Sequence, residues 1–140
     1  MSKFEQVHKL IFKELDSFFS HLDVAVGQIK RQSRYDDTFE TGQPISEIVE
    51  VSLVIAEHFS TELLSIYSKR SKPLLVGIEK FDNQCRETIV QVFFEFSKYC
   101  LTVLEEASKN SKQPHLYGKE YPGLHKSLEV LQYELSKGVQ

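Results

Sequence analysis

Apolar residues recur every three or four positions along almost the whole chain, the spacing of helices with one buried face. From about Ser2 to Arg31 the stripe is Phe4, Val7, Ile11, Leu15, Phe18, Leu22, Ala25 and Ile29, widened by Phe12, Phe19 and Val26. Gly27 is expected to fray the end of this first helix. A second helix is expected over 45–68, with Ile45, Ile48, Val49, Ser52, Ile55, Ala56, Phe59, Leu63, Ile66 and Tyr67 turned inward. A third runs over 73–109 and is expected to be the longest. Its stripe is Leu74, Ile78, Phe81, Cys85, Ile89, Val92, Phe96, Tyr99 and Val103. The fourth, over 124–137, carries only Leu124, Leu128, Leu131 and Leu135, so it is expected to be short and peripheral.

Breakers separate these segments. QSRYDDTFETGQP at 32–44 and NSKQPHLYGKEYPG at 110–123 are polar, carry Gly and Pro, and read as long connections. KRSKP reads as a tight link, with Ser71 as an N-cap and Pro73 in a first helical turn. No period-two alternation argues for a sheet. The Val-rich EVSLVIA lies between flanks of helical spacing and stays in helix 2. The expected fold is therefore all-α, one domain over 1–140, an antiparallel four-helix bundle.

Helix 3 is apolar around an unusual share of its circumference. With successive residues about 100° apart and Ile89 at zero, the residues from Val92 to Ala107 that face the core fill an arc of roughly 140°. Val90, Phe94 and Leu101 lie beyond one edge and extend that arc to roughly 220°. Either helix 3 touches several neighbours of its own chain, with Leu116, Tyr117 and Tyr121 of the second connection covering the flank, or the flank is an interface. Val51 and Val54 on helix 2, and Leu10 and Val24 on helix 1, also lie outside their stripes and favour association.

Composition narrows the partners. The chain has 140 residues, 41% hydrophobic and 26% charged, with a formal net charge of -3. That balance suits one packed domain and not a protein that neutralises many nucleic-acid phosphates. The basic cluster Lys69, Arg70 and Lys72 fits a helix end, where cations offset the negative pole of the backbone dipole. Cys85 and Cys100 are 15 residues apart, roughly 22 Å of rise on one helix, too far for a disulfide. Two free thiols, and an N-terminal segment too interrupted by charge for a secretory signal, point to the cytoplasm. No apolar run is long enough for a membrane span.

Candidate chemistry is thin. Inward Glu-x-x-His pairs of a di-iron bundle are absent from the sequence. His58 with Glu62, and His125 with Glu129, have the spacing for one-face metal binding but point away from the apolar stripes. His8 lies at the edge of the apolar face of helix 1, suiting a hydrogen-bonded structural histidine; His21 is on a polar border and His115 in a connection. GKEYPGL has P-loop glycine spacing without the following Lys-Ser/Thr, and Asp36, Asp37 and Glu40 lack the EF-hand pattern. No nucleophile with a matched base is present, so no cofactor, metal or catalytic residue is expected. The expectation is a non-catalytic interaction module for a protein partner, a homodimer in the simplest case. Val90, Phe94 and Leu101 would be its buried centre, with Lys98 and Glu105 at the rim. The alternative is an aromatic-lined pocket between helices, with polar groups such as His8, that takes a small ligand.

Overall fold

The computed structural model describes residues 2–35, 42–71, 77–110 and 115–139. Its helices are α1 (Lys3–Tyr35), α2 (Gln43–Ile66), α3 (Glu79–Asn110) and α4 (His115–Gly138), with one wider π turn, Tyr67–Ser71, continuing α2. Ser2 begins α1 by accepting the Glu5 amide on its hydroxyl at 3.1 Å, satisfying one of the amides that a helix start leaves without a partner. Pro44 sits in the first turn of α2, where its missing N–H costs nothing. Gly77, at φ 84°, takes the left-handed conformation just ahead of α3.

Ring contacts fix the directions. Phe4 stacks on Phe81 at 4.9 Å and Phe19 on Phe96 at 6.0 Å, so α1 and α3 run parallel. Phe59 meets Phe93 at 6.1 Å while Tyr67 bonds Asp82, so α2 and α3 are antiparallel. Gly138 packs so tightly on Leu64 that a Cβ would collide with that side chain, bringing the end of α4 to the end of α2. α2 and α3 pack on each other and on both remaining helices, with α1 on one side of the pair and α4 on the other. Consecutive helices are antiparallel, as an up-and-down bundle requires.

The centre is aromatic. Phe59 is fully buried between Phe18 at 4.9 Å, Phe96 at 5.2 Å and Phe93. Small residues let the helices close around these rings: Ser52, Ala56, Ser97, Ala107 and Ser108 are all buried. Ser97 and Ser108 donate to the carbonyls of Phe93 and Leu104 one turn back, at 3.0 and 2.9 Å, so their hydroxyls are buried without an unmet donor.

The four-helix bundle is as expected from the sequence, and several boundaries are not. α1 passes through Gly27 and continues to Tyr35, because Ser33 turns inward and bonds the Lys30 carbonyl at 3.0 Å. α3 begins at Glu79 and not at 73, leaving Ile78 outside the helix and 42% exposed; α3 is also one residue shorter than α1. Ser71 as a cap has no described side chain, and Pro73 and Leu74 lie outside the described residues. α4 is neither as short nor as late as expected. It begins at His115 and has 24 residues, equal to α2. Pro122 lies inside it, and the carbonyl its missing N–H leaves unbonded, that of Gly118, belongs to an exposed residue open to water.

Candidate functional site

α3 has neighbours on three sides, and this accounts for most of its apolar breadth. Phe81, Thr88 and Tyr99, on one edge of its helical wheel, meet α1, and the central arc meets α2. The opposite edge, where Ser97, Leu104 and Ser108 are buried, is the side left for α4. Val90 and Leu101 fall on that edge and are half-buried against the core. This side of α3 thus faces α4, a helix, and the flank is only partly covered there. Tyr121, expected in that cover, is half-buried on α4 and stacks on His125 at 5.5 Å; the side chains of Leu116 and Tyr117 are outside the described residues.

Phe94 is the member of the trio that stays out, 41% exposed. The Lys98 ammonium lies 5.5 Å from its ring centroid and 3.9 Å from Glu95. Glu105 pairs with Lys109 at 3.1 Å, also within α3. Such exposed pairs one turn apart contribute a few tenths of a kcal/mol at most and are readily exchanged for other partners. The structure therefore places Val90, Phe94 and Leu101 in one row along the outer edge of α3, with Lys98 and Glu105 beside it.

A second feature was less visible from sequence. Between α1 and α3 runs an open groove of about 520 Å³ lined by Phe4, His8, Phe12, Glu87, Thr88 and Val92, among others. His8 is hydrogen-bonded, as expected, with Nε2 2.9 Å from the Thr88 hydroxyl. That hydroxyl also lies 2.8 Å from the Gln84 carbonyl, where its single proton is used, so Nε2 of His8 is the donor to Thr88.

Other polar groups bind the helices together. Arg86 donates to the buried Tyr67 hydroxyl at 2.7 Å and pairs with Asp82 at 2.8 Å, and Tyr67 donates to Asp82 at 3.1 Å. Burial raises the Tyr67 hydroxyl above its ordinary value, against the opposing pull of Arg86. Tyr99 donates to Asp23 across α1 and α3, and that bond, with burial second, pushes its pKa up to about 12. The folded protein thus holds this proton to higher pH than the unfolded chain, whose tyrosine titrates near 10. Its stabilising contribution is complete below about pH 10 and is lost as pH rises through about 12. Asp23→Asn is expected to return Tyr99 towards 10, read by ultraviolet difference absorbance; a Tyr99 titration that does not move would assign the shift to burial alone.

Cys85 and Cys100 are fully buried thiols, and burial pushes the Cys100 thiol up to about 12, so it is an inert core residue. The Ser52 hydroxyl lies against this thiol, a weak partner, and makes no conventional hydrogen bond. His58 and Glu62 are exposed, and His125 reaches Glu129 at 3.4 Å. Among the described residues no group of three or more His, Cys, Asp or Glu is placed to hold a metal, and no helix is long and apolar enough to cross a membrane. No protein-family model, curated protein or solved structure matches the chain.

Proposed function

We propose that this protein is a non-catalytic helical interaction module of the cytoplasm, and that it associates with a second copy of itself through the outer edge of α3. The observation that carries this is Phe94: α3 already has three intrachain neighbours, yet a large aromatic side chain remains 41% exposed beside the half-covered Val90 and Leu101. The row spans roughly 16 Å of helix, and aromatic residues are the usual anchors of such contacts. Lys98 and Glu105 carry opposite charges two turns apart on the same edge, so an antiparallel crossing of two copies about a two-fold axis brings each lysine towards the other copy's glutamate. Buried cysteines that remain thiols suit a reducing compartment.

A stable dimer buries about 1,200–2,000 Å² in total, more than three side chains supply. The contact therefore extends beyond the row, and association is expected at micromolar strength. Light scattering across a dilution series is the test. The parent should show an average mass above 16.2 kDa at high concentration, falling on dilution. Phe94→Lys should stay folded, because the site is open to water, and remain monomeric throughout. A parent that is monomeric at every concentration, or a variant that associates as the parent does, would overturn the proposal.

A further inference from the structure

From the groove between α1 and α3 we infer a second docking surface, independent of the self-association above, whose occupant is a basic amphipathic helix of a protein partner. Three observations converge. First, the groove offers apolar area that is not needed for its own fold: Phe12 is 48% exposed, and the half-buried Phe4 lines the same groove. Second, the two donors at its base, His8 Nε2 and the Thr88 hydroxyl, are already used in the His8–Thr88 and Thr88–Gln84 hydrogen bonds, so an apolar side chain can settle there without stripping a donor of its partner. Two parallel helices flank the groove, and a third helix with anchors at i, i+3, i+4 and i+7 fits such a trough.

The third observation is charge. Glu87 lines the groove, and no Lys or Arg does among the described residues. One turn beyond Gln91, Glu95 is held at 3.0 Å by that side chain and lies 3.9 Å from Lys98, so only part of its charge is left to the seam. Farther along the same seam Asp23 accepts the Tyr99 hydroxyl, and Glu106 lies on the same edge of α3 as Tyr99. Lys9 and Lys13 of α1 lie roughly 60° and 100° round the helix from Phe12, towards open solvent. The seam is therefore apolar along its floor and acidic along its length, complementary to a helix with one apolar stripe flanked by Lys and Arg. A second copy of this chain, with a net charge of -3, has the wrong sign for it.

The probe is a fluorescein-labelled helical peptide of Leu at i, i+3, i+4 and i+7 spacing with Lys elsewhere, titrated with the full-length protein by anisotropy. A control peptide has the same Leu positions and Glu in place of Lys. The basic peptide should bind saturably and the acidic one at least about tenfold more weakly. Phe12→Ser, an exposed position whose folding is checked by circular dichroism, should weaken the basic peptide about tenfold, and Glu87→Lys should weaken it about fivefold. Phe94→Lys should leave this affinity unchanged, which separates the groove from the α3 edge. Failure of the basic peptide to bind, equal binding of both peptides, or binding that survives Phe12→Ser and Glu87→Lys would overturn the inference.

Discussion

Phe59→Ala is expected to cost about 4 kcal/mol, the middle of the range for a buried aromatic truncated to a methyl group. The ring is fully buried and touches Phe18 of α1 and Phe93 and Phe96 of α3, so removing it opens a cavity at the junction of three helices. Each ring pair contributes roughly 0.5–1.5 kcal/mol beyond the area it buries, and three pairs are lost together. Collapse cannot refill the space cheaply, because the lining rings are rigid and anchored on different helices. A domain stable by roughly 5–15 kcal/mol would lose a large share of its margin. Urea unfolding followed by circular dichroism should show a much lower midpoint with a similar slope. A loss under about 1 kcal/mol would mean that the aromatic cluster is not the centre of the fold.

Leu135→Ala is expected to cost about 3 kcal/mol. Leu135 is fully buried near the end of α4, in a stripe with Leu124 and Leu128, where Gly138 closes on Leu64 of α2. If α4 is an integral flank of the bundle, its truncation should lower the single unfolding transition of the whole domain. An α4 that docks only loosely would instead give a separate early transition, or a loss of a few tenths of a kcal/mol, with α1 to α3 unaffected.

The stripes were legible in the sequence because burial alone decides them: Val7, Ile11, Leu15, Phe18 and Leu22 on α1, and Cys85, Ile89, Val92 and Phe96 on α3, are all buried. His8 was legible too, since a lone polar residue at the edge of an apolar face finds a partner on a neighbouring helix, here Thr88 of α3. The start of α4 was not. Pro122, Gly118 and Gly123 normally mark a turn, and local chemistry cannot reveal that docking on α2 and α3 outweighs their cost within a helix. Gly77 and Ile78 posed the reverse difficulty, because the apolar spacing runs through Ile78 while Gly77 adopts a left-handed conformation just ahead of the helix start at Glu79. The breadth of α3 was visible and its cause was not: three-sided packing is a property of the helix arrangement, which periodicity does not encode. The groove at Phe12 was hidden for the same reason, since a residue counted as core on the wheel lies nearly half exposed between two parallel helices.

Backbone amide spectra of isotopically labelled protein, recorded from low to high chain concentration, test self-association through α3 most directly. If the outer edge of α3 is the contact, shifts that depend on concentration should cluster at Val90, Phe94, Lys98, Leu101 and Glu105, and vanish in Phe94→Lys. Spectra that do not change with concentration, or changes confined to residues away from this edge, would contradict it.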